Sequence, residues 1–124
     1  MPDHVPSQFP RECLETLIQI ATSGKWLDRK WEAIGCLLTL VVWAGHSLDP
    51  DNPNVIGQSE QPTEDVERLV ELCALVAGDV PSHGPVTDAV VRLLVDRVIN
   101  AIAIKLDLSP EIVQALKSIL ATLL

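Results

Sequence analysis

Apolar positions along this chain recur in blocks with helical spacing, separated by stretches rich in proline, glycine and acids. Over residues 10–23, Cys13, Leu14, Leu17, Ile18, Ile20 and Ala21 gather on one side at 100° per residue, the period of an amphipathic helix. Gly24 follows, suited to the left-handed stop at a helix C-terminus. A second helix is predicted over 28–44, with a charged first turn (Asp28, Arg29, Lys30, Glu32) and Gly45 read as its end. From Ala33 to Gly45 it runs thirteen residues without a charge. Such a run, lacking a clean polar face, reads as a helix buried on most sides, around which the others pack. Taken alone, residues 37–43 also fit a buried strand; continuity with the charged turn before them favours helix.

A third helix is predicted to open after Pro62, with Thr63 as N-cap and Glu64 and Asp65 in its first turn, where the helix dipole favours anions. Val66, Leu69, Val70, Cys73 and Val76 form its inward stripe, and Glu64, Glu67 and Glu71 share the opposite face. Gly78 ends it. The fourth helix, predicted over 87–106 with Thr87 as N-cap, has one narrow polar stripe: Asp88, Arg92, Asp96 and Asn100. The rest of it is apolar, so it is expected to be largely buried or to lie at a subunit interface. Residues 102–108 also alternate in a strand-like way. The fifth helix begins Ser109-Pro110-Glu111, a cap, a proline at the first helical position and an acid in the first turn. Ile112, Val113, Leu116, Ile119, Leu120 and Leu123 form its stripe. The expected fold class is all-α, a compact bundle of about five helices with helix 2 central. Residues 1–9 read as an irregular arm and 10–124 as a single domain.

Charge changes this picture more than composition does. The 124 residues carry a net charge of −8, and the window Ser47–Asp79 holds eight carboxylates against Arg68 alone, so −7 of it lies there. Overall acidity disfavours nucleic acid and anionic membrane as general partners. The thirteen uncharged residues would cover about 20 Å of a membrane core of about 30 Å, too little to span it. Three separated cysteines (Cys13, Cys36, Cys73) with no CxxC spacing read as reduced core thiols. With no basic, apolar leader pattern at the N-terminus, the expected localisation is cytoplasmic.

Candidate chemistry is thin. His46 and Ser47 are adjacent, but a catalytic pair needs spatial convergence that adjacency does not supply. His46 reads as a residue near a helix end; His4 and His83 lie in irregular segments. The loop 49–60 places Asp49, Asp51 and Glu60 at positions one, three and twelve of a calcium loop, yet Pro53 and Asn54 occupy positions five and six, where an oxygen ligand and a glycine belong. Glu64, Glu67 and Glu71 lack the Glu-x-x-His partner of a bundle metal site. No phosphate loop, GxSxG or HExxH is present. Trp31, in register with Ile34 and Leu38, reads as core; Trp26, between helices 1 and 2, reads as a surface anchor for a partner.

The segment Ile102–Val113, IAIKLDLSPEIV, resembles the helix-turn-helix of response-regulator and sigma-type DNA-binding domains. Ile102, Ala103, Leu106, Leu108, Ser109 and Val113 carry the resemblance; Ile112 stands where threonine is usual and Asp107 where glycine is common. It implies that helix 5 would enter the major groove with Glu111, Gln114, Lys117 and Ser118 outward. From Ile102 onward the chain has two lysines and two acids, few cations for holding phosphates.

The leading expectation is therefore a non-enzymatic protein-interaction module without cofactor or metal. It would self-associate, or bind a basic protein partner through Asp49, Asp51, Glu60, Glu64, Glu67 and Glu71. Helix-turn-helix DNA binding through 102–124 is the alternative, and a small metal-binding protein or enzyme built on the 46–60 loop is a further one.

Overall fold

A computed structural model of the protein describes residues 9–49, 51, 62–78, 80 and 87–121. Five helices carry the fold: α1 (Arg11–Ser23), α2 (Lys30–Ser47), α3 (Pro62–Ala77), α4 (Asp88–Leu106) and α5 (Pro110–Leu120). Among the described residues there is no strand: residues 37–43 lie in α2, and 102–106 in α4 with 107–108 in the turn after it. α1 packs on α2 and α3, α3 on α4, α4 on α5, and α5 returns to α2. α2 also meets α4. The middle of the bundle is thus shared by α2 and α4, each with three neighbours.

Local chemistry explains most boundaries. α1 stops at Gly24, whose φ of 73° is left-handed and whose N–H donates to the Ile20 carbonyl. α4 starts at Thr87, whose hydroxyl accepts from the Val90 N–H. It ends in a Schellman turn: Leu108 N–H donates to the Ala103 carbonyl and Asp107 N–H to that of Ile104, with Asp107 at φ 54°. Ser109 then caps α5 by accepting from the Ile112 N–H, with Pro110 at the first helical position.

Two boundaries differ from expectation. α3 begins at Pro62, so Thr63 is an exposed residue inside its first turn rather than its cap. α2 runs through Gly45 to Ser47. Gly45 is buried because α5 crosses there: a Cβ on it would overlap the carbonyl of Ile119. The glycine is a contact surface, not a stop.

The core draws on every helix, with Leu14, Leu37, Leu69, Leu94 and Ile102 all fully or almost fully buried, and Leu116 and Leu120 brought from α5. Each large aliphatic so buried contributes about 1.5–3 kcal/mol of transfer free energy. Phe9, assigned to the irregular arm, is buried and stacks edge-on against Trp43 of α2 with ring centroids 4.8 Å apart. The packed region therefore includes the last residue of that segment; residues 1–8 lie outside the described ones.

The two tryptophans near the start of α2 exchange their expected places. Trp26 is buried in the turn between α1 and α2, so it is not a surface anchor, whereas Trp31 is 80% exposed. The side of α2 that enters the core carries Ala33, Leu37, Leu40, Val41 and Ala44. Its small residues allow close helix approach, and the side bearing Trp31, Gly35 and Leu38 is left outward. α4 brings Val91, Leu94, Val95, Val98, Ile99, Ile102 and Leu106 into the core. Asp88 is fully buried, while Leu93 and Ile104 are 59% and 81% exposed. Within one chain, α4 is open to solvent along part of its length.

Candidate functional site

α3 separates its carboxylates by depth. Val66, Leu69, Leu72, Cys73 and Val76 turn inward. Glu64, Glu67 and Glu71, spaced three and four apart, stand exposed on the outer face. Asp65, one position from Glu64, is only 2% exposed and belongs to the packing instead. It is held by Arg11 of α1, whose Nε and Nη2 donate to its two carboxylate oxygens at 2.9 and 3.2 Å. A bidentate pair of this kind ties α1 to α3 and neutralises the one acid of the group that faces inward.

Arg68 lies among the outer carboxylates. The sequence spacing suggests pairing with Glu64; the geometry instead places its Nε 3.1 Å from Glu15 of α1 and its Nη1 3.4 Å from Glu71. Glu15 therefore joins the face from a neighbouring helix. Arg68 thus pairs with Glu15 and Glu71, and together with the exposed Glu64 and Glu67 these five groups sum to three negative charges. The paired groups are 41–50% exposed at their side chains, so each ion pair is worth little in stability. Their collective field acts on approaching partners.

Asp49 and Asp51 lie elsewhere, beyond the end of α2, and both are exposed. The Asp49 N–H donates to the buried Asp88 carboxylate at 2.7 Å, while the Asp49 side chain accepts from the Asp51 N–H at 2.9 Å. Asp88 is the first residue of α4, where the helix dipole favours an anion. It links the exit of α2 to the entry of α4, a role its place on the predicted polar stripe concealed. Glu60 and the rest of the 52–60 loop lie outside the described residues, as do His4 and His83. Among the described residues no three metal-ligating side chains gather, and no helix is long and apolar enough to cross a membrane. His46 is exposed in the last turn of α2.

The α4–α5 corner has the connectivity its resemblance implies: a helix, a tight turn at Asp107–Ser109, and a capped second helix. Glu111, Gln114 and Ser118 are exposed; Lys117 is half-buried, with its ammonium 3.8 Å from Asp96 of α4. Two shallow hollows share Lys117. One of about 600 Å³ reaches Ile104 and Val113, and another of about 440 Å³ reaches Arg92, Leu93 and Leu120. Both are open grooves along the helix pair, without a convergent set of nucleophile, base and anion-stabilising donors.

Comparison with known proteins finds no match: no family model, curated protein or solved structure is similar to this chain.

Sequence reasoning placed Glu64, Glu67 and Glu71 together because one helix period suffices for that. It missed Glu15, Arg11 and the inward turn of Asp65, which depend on which helix lies beside α3. The one available signal was that Arg11 and Glu15 are, like Asp65 and Arg68, charged groups flanking an apolar stripe.

Proposed function

We propose that this chain is a protein-interaction module that works without chemistry, presenting the outer face of α3, with Glu15 of α1, to a basic protein partner. One observation carries the reading. Glu64, Glu67 and Glu71 are all exposed on one face, and Arg68 of the same helix is shared between Glu15 and Glu71. An uncompensated acidic surface of this kind accelerates encounter with a cationic surface and suppresses wrong partners more than it adds affinity. Self-association belongs to the same reading and is supported by the large exposed side chains Trp31, Leu93 and Ile104. A reduced, intracellular setting fits three cysteines of which none is in a disulfide.

The test is affinity capture with the wild type and a Glu64→Lys, Glu67→Lys, Glu71→Lys variant side by side, followed by association kinetics with the retained protein over a salt series. The expected result is a basic protein that the variant loses, with an association rate at least tenfold slower at low salt and a flatter salt dependence. Equal rates for the two chains would remove the acidic face from the reading.

A second reading, DNA binding by the α4–α5 corner, draws on the left-handed Asp107 at the position where helix-turn-helix proteins commonly carry glycine. The pairing of Lys117 with Asp96 and the exposed Glu111 weigh against it. A mobility-shift experiment with random duplex DNA at low salt decides between them, since phosphate contacts are strongest there.

A further inference from the structure

One side of α2 is left uncovered, and that side carries no charge. Trp31, Gly35, Leu38 and Val42 step by four, three and four, which keeps them on one stripe of the helix. Trp31 is 80% exposed and Leu38 41%, Gly35 is exposed, and Val42 is half-buried. None of the thirteen residues from Ala33 to Gly45 is charged, so water along the stripe meets indole, aliphatic carbon and backbone. The exposed aliphatics of α4 differ, because exposed Arg97 and Asn100 stand between Leu93 and Ile104.

Gly35 is a second observation. A glycine inside a helix costs stability relative to alanine. Beyond its own stretch of helix, no atom of the chain lies within 4 Å of where its Cβ would be, so nothing within the chain requires a glycine there. It leaves a notch in the stripe between Trp31 and Leu38, open to an incoming side chain. Charge is a third. Lys25, Arg29 and Lys30 against Asp28 and Glu32 give the start of the stripe a net of +1, while exposed Asp49 and Asp51 give −2 beyond its other end.

We propose that a second copy of this chain covers the stripe, the two α2 helices crossing antiparallel about a twofold axis between residues 36 and 37. This rests on the self-association in the reading above and names its surface. In that register Leu38 of each copy falls in the Gly35 notch of the other, and Trp31 of each lies on Val42 of the other. The basic end of each stripe meets the acidic end of its mate. The contact uses the same patch on both copies, so it closes at two. A parallel pairing would set notch against notch and like charge against like. An anionic membrane suits the stripe less, because Asp49 and Asp51 would be carried to its surface.

Light scattering and sedimentation of the full chain over a concentration series test this. The wild type should pass from monomer to dimer without larger species. Leu38→Glu places a carboxylate in the contact, and Gly35→Lys fills a notch that is open space within one chain. Each should weaken the dimer by about tenfold or more, with helical circular dichroism retained. Ile104→Glu on α4 should change the dissociation constant by less than about twofold. A wild type still monomeric at about 1 mM overturns the proposal together with self-association, and leaves the acidic face of α3 as a separate reading. A dimer lost in Ile104→Glu but kept by both α2 variants overturns it while self-association stands. Wild-type binding to phosphatidylserine-containing vesicles that Leu38→Glu abolishes, without dimers in solution, would assign the stripe to a membrane and overturn it as well.

Discussion

At Gly45 two residue-scale rules oppose each other. Alanine is the better helix former by about 1 kcal/mol. At this position, however, its methyl would overlap the Ile119 carbonyl, which is backbone and cannot rotate aside. Packing should win: Gly45→Ala is expected to destabilise the protein by about 1–3 kcal/mol, read as a lower denaturation midpoint, because α5 must shift off α2. The same substitution at Gly35, which is exposed and has open space around its Cβ, should instead stabilise slightly. Asp107 presents the converse case. It is a non-glycine residue with φ 54° at the C-terminal end of α4, where a negative charge faces the helix carbonyls. Asp107→Gly removes both penalties, and a gain of about 0.5–1 kcal/mol in chemical denaturation is expected. A loss would mean that the aspartate serves the turn in some way its backbone geometry does not require.

Between elements, the ordering contacts are polar even though the packing is apolar. Arg11 and Asp65 join α1 to α3, and Asp88 joins the entry of α4 to the chain leaving α2. Asp65 is 3% exposed at its side chain and Arg11 49%, so the carboxylate is the member that suffers when the pair is broken. Arg11→Ala should cost about 1–3 kcal/mol by leaving Asp65 buried beside less positive charge. Arg11→Ala combined with Asp65→Asn should cost less than the sum of the two single changes. Chemical denaturation of the four chains closes that cycle; additivity within about 0.5 kcal/mol would show that the pair does not couple the helices.

For the whole molecule, shape and charge lead to different surfaces. The acidic face lies on α1 and α3, and the exposed aliphatics Leu93 and Ile104 lie on α4, bordering the grooves shared with α3 and α5. If copies associate through α4, Ile104→Glu should reduce the solution mass to that of a monomer in light scattering while leaving the melting temperature within about 2 °C, since an exposed site contributes little to folding. A wild-type chain that is monomeric at high concentration would exclude α4 as an interface between copies. Charge reversal on α3 should leave that mass unchanged, which separates the two surfaces experimentally.

The five helices and most of their ends were legible in the residues themselves. A 3.6-residue apolar period, a Thr87 or Ser109 hydroxyl one residue before a helix, and a glycine at position 24 act within a few residues of chain, and local physics settles them. The line of Glu64, Glu67 and Glu71 on one face was legible for the same reason. Only tertiary structure could decide which side of α2 enters the core, because a run without polar residues marks no side. Hence Trp31 faces solvent and Trp26 does not. It also decided the fate of acids that sequence treats alike: Asp65 and Asp88 go inside because a guanidinium or a backbone N–H from a distant segment receives them. Glu15 shares Arg68 with Glu71 only because α1 lies beside α3. Helical period specifies a face; which neighbour that face meets is set by the packing of the whole chain.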